Sequence, residues 1–402
     1  MAESSVVVAG GGVVGLTTAL GLARAGVDVT VYEAGAATPV GTADYVYHWS
    51  ALPVFAALDV LGPLERAGIA APRWAFVVPE TGRQIVFDLG VLADEVEHPY
   101  HLTVRREVVV EVLTAAVEAF PSGRVLRGRR VTGIAGDPAG VTVRIDGPDG
   151  PGHVRAGWVI GADGAGSCVR RSLGLGMAGH TWPERLVSTT LGFDLSTFCE
   201  APLQVWPGAV QPAVAQLIED GGPGGERLWR FAYPEQRTLP EDTIPGRMSA
   251  MFGAILPARA DPLVSDWSAY RMHERVVGTY RVGRALLIGD AAHLTNPTSG
   301  LGMAAGLYDA LSVVERLPAV IEGADPGVLD DVADTRRRVF CDQVSPASAE
   351  HLNLSFYAAR NGILAEKLDR LAALAADRDA LRVALRNQRQ IARGLRKTQT
   401  ST

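Results

Sequence analysis

The chain has 402 residues, 47% of them hydrophobic and 20% charged, with a formal net charge of −6. That is enough apolar material for a sizeable core in two lobes, and the acidic balance argues against a nucleic-acid binder. No apolar run approaches the roughly 18 residues needed to cross a bilayer. The start, MAESSVVVAGGG, has no basic region ahead of its apolar run, so a cytoplasmic protein without signal peptide or membrane contact is expected. Cys168, Cys199 and Cys341 are too widely spaced for a disulfide framework or a CxxC metal pair, and no metal site is expected.

Ser5–Ala9 predicts a short strand, followed by Gly10-Gly11-Gly12-Val13-Val14-Gly15 and an apolar helix over Leu16–Ala25 that Gly26 ends. Asp28–Tyr32 predicts a second strand, closed by Glu33. This order forms a dinucleotide fingerprint. Gly10 permits the tight turn, Gly12 lets backbone approach a pyrophosphate, and Gly15 lets helix and strand pack closely. Glu33 falls near the roughly 20-residue spacing of the acid that binds an adenosine ribose. The fingerprint suits FAD and NAD equally.

Tyr45–Pro53 leads into a predicted helix ending at Leu61-Gly62. Trp74–Val78 and Gln84–Leu89 alternate like strands about the turn Glu80-Thr81-Gly82. Thr103–Phe120 predicts a helix with Arg105 and Arg106 at its start, and Arg124–Val131 and Val141–Ile145 predict sheet strands. Trp158–Ile160 is an apolar strand running into Asp163-Gly164, then a helix whose first turn carries Ser167 and Arg170; the pattern DGxxSxxRxxxG spans Asp163 to Gly174.

From Glu184 to Asp266 the apolar runs shorten, Trp and Pro recur, and Gly221–Gly225 marks a turn. A mostly antiparallel sheet, inserted between nucleotide-binding elements, is expected there as a substrate lobe. Tyr270–Arg275 returns to Gly283–Ala310, which predicts a buried strand (Ala285–Ile288) and a turn at Gly289-Asp290. The glycine-rich loop Thr298–Gly302 then opens a helix from about Met303. A helix leaving a bare-backbone loop aims unpaired N–H groups and a positive dipole end at what lies before it, which suits an electron-rich ring carrying negative charge. Asp290, at the carboxyl end of a strand, is placed to accept hydrogen bonds from ligand hydroxyls. The last segment, Ala365–Lys397, predicts a terminal helix packed through Leu368, Leu371, Leu374, Leu381 and Leu385. Arg382, Arg386, Arg389, Arg393 and Arg396 form its basic stripe, read as a solvated face in preference to a contact for an acidic partner.

GxGxxG at Gly10–Gly15, DG at Asp163-Gly164 and GD at Gly289-Asp290, in this order, resemble the class A FAD-dependent monooxygenases, the para-hydroxybenzoate hydroxylase-like aromatic hydroxylases. The resemblance runs from Val6 to about Leu317. It implies an α/β fold with a Rossmann-like FAD-binding domain over 1–75, 102–183 and 268–335. An inserted, mostly antiparallel β-sheet substrate domain takes 76–101 and 184–267, and a C-terminal helical segment takes 336–402. By the same resemblance Gly10, Gly12, Val14 and Gly15 receive FAD, Glu33 its adenosine ribose, and Arg106 its pyrophosphate or ribityl chain. Asp163 is tied to pyrophosphate contact, Gly289 and Asp290 to the ribityl hydroxyls, and Pro297, Gly300, Leu301 and Gly302 to the isoalloxazine. NADH or NADPH is the implied reductant, visiting without a fingerprint of its own.

The implied reaction transfers oxygen from a flavin C4a-hydroperoxide to an aromatic or polyketide-like small molecule, with O2 as co-substrate; a homo-oligomer is compatible with the sequence. No catalytic base is identified, and Tyr47, His48 and His273 are the candidates, while His293 is expected to be structural. Three positions depart from the family pattern: Ala34 where arginine is frequent, Ala304 where asparagine is usual, and Asn296 where proline is frequent. Two other readings stay open at this stage: an FAD oxidoreductase of the same fold without oxygen insertion, and a flavin-binding homologue that has lost turnover. A flavin halogenase is disfavoured, because no Trp-x-Trp-x-Ile-Pro stretch occurs.

Overall fold

The computed structural model describes residues 5–38, 46–208, 210–221, 227–257 and 264–392. Tyr45, most of the expected Gly221–Gly225 turn and the last two arginines of the basic stripe, Arg393 and Arg396, lie outside the described residues.

The β-branched run at the start forms a strand, Val6–Ala9, buried on both faces as parallel strands are. It is central in a six-stranded sheet ordered Arg281–Val282, Ala285–Leu287, Trp158–Gly161, Val6–Ala9, Val29–Glu33 and Gly123–Arg127, parallel except at Arg281–Val282. Ala9 pairs with both Gly161 and Tyr32, and Gly161 with Leu287, so four strands end at one level. The Val13–Arg24 and Leu301–Val314 helices pack together on this sheet, and Gly21 lies so close that a Cβ would stand 2.6 Å from the Val314 side chain.

A second sheet has eight strands in the order His293–Leu294, Val264–Val277, Met177–Leu191, Arg227–Gln236, Ala213–Asp220, Leu203–Trp206, Arg73–Val78 and Arg83–Asp88. It is antiparallel except where Leu203–Trp206 lies along Arg73–Val78. Two of its strands, Met177–Leu191 and Val264–Val277, run through the region where the sequence places a domain boundary, so continuous ladders join the sheet to the nucleotide-binding elements.

Several boundaries differ from the sequence reading. The first helix begins at Val13 instead of Leu16, because Gly12 takes the extended N-cap conformation directly after the turn. The expected helix up to Leu61-Gly62 stops at Ala57; Asp59 adopts a left-handed φ of 58°, and Leu61 opens a separate helix, Leu61–Ala67. Thr103 is not helical: His101–Thr103 is a strand between Val46–Tyr47 and Ile69–Ala71, and the helix covers Arg106–Glu118. The single strand expected over Arg124–Val131 is divided at Gly128 (φ 68°) between two sheets. Its first part joins the parallel sheet. The second, Arg130–Asp137, pairs with Gly140–Asp146 in a three-stranded antiparallel sheet. The helix after the glycine loop begins at Leu301, two residues before Met303.

The terminal segment is two helices instead of one, Leu364–Ala376 and Arg378–Gln388. Asp377 breaks the run and caps the second helix through the Asp379 and Ala380 N–H groups. Leu368, Leu381 and Leu385 are buried against the Arg83–Asp88 strand and the Leu89–Leu92 turn. The basic stripe folds back on its own chain: Arg386 Nε donates to Glu95 at 2.6 Å, and Arg382 Nε to the Val91 carbonyl at 2.9 Å. Such exposed pairs contribute little stability. Among the described residues no helix is long and apolar enough to cross a membrane, and no cluster of His, Cys, Asp or Glu could hold a metal.

Candidate active site

The carboxyl ends of the parallel strands open onto a cavity of about 610 Å³. Gly12, Val14, Glu33, Arg106, Gly289, Asp290, Pro297, Gly300 and Gly302 all line it. Gly10, Gly15 and Leu301 stand just behind the wall and shape it. Gly10 has a φ of +104° and carries no room for a side chain, since a Cβ would stand 2.3 Å from the Ala162 carbonyl oxygen; at Gly15 the same test gives 2.1 Å to the Gly10 oxygen. Gly12 differs: nothing lies within 4 Å of its Cβ position, so its open side is the cavity itself.

Glu33 is fixed by backbone. Its carboxylate accepts hydrogen bonds from Gly11 N–H and Gly35 N–H, both at 2.7 Å, which aims the remaining lone pairs at the cavity. Asp163 is used differently from its expected role: its carboxylate accepts from Ser167 Oγ and from the Cys168 and Val169 N–H groups at 2.7 and 3.1 Å, closing the turn. The backbone next to it, Gly164 and Ala165, is what reaches the cavity. Buried Arg170 joins this motif to the third one, donating to the Ala165 carbonyl at 2.8 Å and the Ala291 carbonyl at 3.1 Å.

The turn at Gly289 hangs on a buried knot. Asp309, inside the Leu301–Val314 helix, accepts from Gly289 N–H at 3.1 Å, pairs with His293 Nε2 at 2.7 Å, and accepts from Arg336 Nε at 2.9 Å. Burial pushes the Asp309 carboxyl up, but His293 and Arg336 together hold it below its usual value. His293 also stacks on Phe340, ring centroids 4.4 Å apart, where a π-helical turn (Phe340–Val344) interrupts the helices. His293 is thus fully engaged within the fold.

The Pro297–Gly300 loop is propped from behind. Asn296, where proline is frequent in the family, caps the turn by accepting from Thr298 Oγ1 at 2.6 Å, and Ser299 Oγ lies 2.7 Å from Ser348 Oγ of the Ser345–Leu352 helix. Gly300 takes the left-handed conformation (φ 69°), and the 14-residue helix starts immediately after it with its N–H groups toward the cavity. Ala304, the other internal departure, is buried in the core of that helix.

Of the three base candidates, only His273 lines the cavity, with Nδ1 2.9 Å from Thr181 Oγ1. Tyr47 is buried against Phe55, and His48 is buried with Nδ1 2.8 Å from Ser50 Oγ; neither reaches the wall. Sequence reasoning missed two residues that do. His101 is buried 4.9 Å from the His48 ring, its Nδ1 without a hydrogen-bond partner among the described residues. Arg230, 3% exposed, reaches the cavity from the Arg227–Gln236 strand, with Nη2 3.7 Å from Asp266. A lone charge inside the apolar run Trp229–Tyr233 was the available signal.

One face of the eight-stranded sheet completes the chamber. Leu186 and Ser188, Val214 and Gln216, Arg230 and Ala232 come in the i, i+2 pairs that a single strand face dictates. An extended dinucleotide fits this arrangement: open space at Gly12, an anchored carboxylate at Glu33, a helix start at Gly300, and buried polar atoms at His101 Nδ1 and Thr295 Oγ1 that the described residues leave unsatisfied.

The comparisons agree with this geometry. A family model described as "FAD binding domain" matches residues 3–347. The chain is 36% identical, over 96% of its length and 97% of the relative's, to 6-hydroxy-3-succinoylpyridine 3-monooxygenase of Pseudomonas putida (strain DSM 28022 / S16). It is 34% identical, over 85% of both, to para-nitrophenol 4-monooxygenase of Pseudomonas sp. (strain WBC-3). The crystal structure of p-nitrophenol 4-monooxygenase from Pseudomonas putida DLL-E4 superposes with a TM-score of 0.89 at 31% identity, covering 97% of this chain and 98% of that one. A ternary complex of aklavinone-11 hydroxylase with FAD and aklavinone gives 0.77 at 27% identity, covering 89% and 70%. The chain therefore belongs to the FAD-binding family of class A flavoprotein monooxygenases. It is an FAD-dependent enzyme that hydroxylates an aromatic substrate, and the reading without oxygen insertion is not favoured.

Two outcomes follow from the site. Gly15→Ala forces a Cβ onto the Gly10 carbonyl and is expected to lower the melting temperature of the apoprotein by several degrees, consistent with about 1–3 kcal/mol. Gly12→Val leaves the apoprotein melting curve nearly unchanged and weakens FAD binding by about tenfold or more, measured by fluorescence titration. A further outcome concerns buried imidazoles. Burial holds His101 and His351 down at about 4 and His48 well below its usual value. Below about pH 6.5 the unfolded chain takes up protons that the native state refuses, so stability falls from there toward pH 4. Urea unfolding at pH 5 should show about 1–2 kcal/mol less stability per imidazole than at pH 7, with a flatter slope in a His101→Gln, His351→Gln double variant.

Proposed function

We propose that the enzyme oxygenates a single-ring phenol or hydroxypyridine at the carbon para to its hydroxyl, displacing the group that carbon carries. Two relatives spanning most of both chains support this reading by their names alone. Each is named for oxygenation at the ring position that bears a substituent, position 3 carrying succinoyl or position 4 carrying nitro. In both, that position is para to the hydroxyl. The observation in this chain that carries the reading is Arg230, a buried guanidinium on the sheet face of the cavity, suited to an electron-withdrawing oxygen-bearing substituent.

Bound FAD supplies the two-electron chemistry and the activation of dioxygen. The chain's own residues do the rest. Leu186, Val214 and Ala232 supply the apolar part of the sheet face and keep water from the reacting ring. The N–H groups beginning the Leu301–Val314 helix offer a positive end to developing negative charge. Ionisation of the substrate hydroxyl pushes electrons to the para carbon, which takes one oxygen atom of dioxygen as the O–O bond breaks, the second oxygen leaving as water with the two electrons of the reductant. The old bond to the substituent breaks with its electron pair, leaving a quinone. A need for NADH or NADPH supports a cytoplasmic location.

The test is FAD-loaded protein with 4-nitrophenol as probe. Faster NAD(P)H oxidation is expected, with nitrite released in step and labelled dioxygen entering at the para carbon. Retention of the nitro group with label at another ring carbon would contradict the displacement. Arg230→Met should raise KM for 4-nitrophenol by about tenfold while FAD affinity stays the same.

A further inference from the structure

Beneath the six-stranded sheet lies a second hollow of about 640 Å³, a volume ordinary for a small-molecule site. It sits at the amino ends of two parallel strands. Trp158 and Ala285, the first residues of those strands, line it, whereas Ala162 and Ile288, just past their carboxyl ends, line the reaction chamber. Ile134, Val141, Leu173 and Val320 give the hollow apolar walls.

Its charges come from the hairpin between Arg281–Val282 and Ala285–Leu287. Arg281 and Arg284 both lie over the buried Trp158 ring, 5.6 and 5.4 Å from its centroid. A planar guanidinium packed on an indole loses freedom, so its donor edge has a settled direction. Arg281 is already neutralised, with Nη1 2.6 Å from Asp330. Arg284 is not. Its Nε donates to the Pro138 carbonyl at 3.0 Å and its Nη1 to the Gly157 carbonyl at 3.5 Å, and among the described residues it pairs with no carboxylate. Asp137, which lines the hollow, is held by Arg155 Nη2 at 2.5 Å. Asp325, between the lining residues Ala324 and Pro326, turns its carboxylate to the Gly327 N–H at 3.0 Å.

We propose that this hollow is a second ligand site, for an aromatic monocarboxylate whose ring rests on the apolar walls and whose carboxylate sits on Arg284. Two arginines paired with acids and one without leave a single positive charge, which favours a monoanion over a neutral or doubly charged ligand. A guanidinium fork matches a carboxylate. The apolar walls favour a ring over a bare inorganic anion. Arg284 is half-buried, so water screens its charge only in part. Its carbonyl also accepts from the Val159 N–H at 3.0 Å, and at the other end of the same strands the Ile288 N–H donates to the Gly161 carbonyl at 3.0 Å. An occupant gripping Arg284 therefore holds the two strands that lead to the Asp163 and Gly289 turns without entering the reaction chamber. The site is independent of which ring the enzyme oxygenates.

The test is fluorine NMR of 4-fluorobenzoate added to FAD-loaded protein, with 4-fluorobenzamide as the neutral counterpart. One ring and one carboxylate predict saturable binding with a Kd of about 1 mM. Arg284→Gln should raise that Kd about tenfold. Ala324→Glu, at an exposed wall residue, brings a negative charge into the same hollow and should weaken binding by a similar factor. FAD affinity should hold in both variants. Arg230→Met, which alters the reaction chamber, should leave the 4-fluorobenzoate Kd within about twofold, and the amide should bind about tenfold more weakly than the acid. Binding that survives both Arg284→Gln and Ala324→Glu overturns the site, and binding that Arg230→Met removes places the acid in the reaction chamber instead. Equal affinity for acid and amide, or no saturable binding up to about 20 mM, overturns it as well.

Discussion

Four parallel strands stop at the same level of one sheet, and the rest of the molecule depends on that register. Ala9 stands beside Gly161 and Tyr32, and Gly161 beside Leu287, so the three turns that follow leave the sheet together. Beyond the last ladder bond the backbone groups need other partners. The turns supply some of them: Gly10 N–H donates to the Tyr32 carbonyl, Ala162 N–H to the Ala9 carbonyl, and Ile288 N–H to the Gly161 carbonyl. What remains at Gly12, Gly164 and Gly289 faces one cavity. A cofactor that binds by its phosphates and hydroxyls meets the bare backbone of three crossings at once.

Around that edge, side chains fix what the register brings together. Arg170 ties the second crossing to the third, and the Asp309–His293–Arg336 knot ties the third to the helix behind it. A buried carboxylate held between an imidazole and a guanidinium is a costly device, since losing the guanidinium strands a charge in the core. Here it sits where the Gly289 turn must not shift. The C-terminal helices extend the same bracing, from Ser348 to Ser299 and from His351 to Thr298. The catalytic wall thus has a second layer drawn from residues beyond the nucleotide-binding elements.

Much of this was legible in the sequence, for identifiable reasons. Short-range signals survive folding: the glycine spacing from Gly10 to Gly15, Glu33 at the end of its strand, and the Gly289-Asp290 turn all lie in continuous stretches whose geometry is local. The departure at Asn296 also has a local explanation, as a cap for the turn it precedes. What stayed hidden depends on distant pairing. Gly128 divides an apparently continuous strand between two sheets, a choice made by Val29–Glu33 on one side and Gly140–Asp146 on the other. His101 lies two residues before the helix expected from Thr103 and carried no signal of its own; only its pairing with Val46–Tyr47 and Ile69–Ala71 turns it toward the cavity. Asp163 reads as a ligand contact in sequence, yet its carboxylate serves the turn while the adjacent glycine faces the cavity.

A crystal structure of the FAD-loaded enzyme is the most direct measurement of the central claim. One extended FAD should run from Glu33, past Gly12 and Asp290, to the Pro297–Gly302 loop. An FAD found instead in the hollow of about 640 Å³ beneath the sheet, beside Trp158, Arg281 and Arg284, would contradict it.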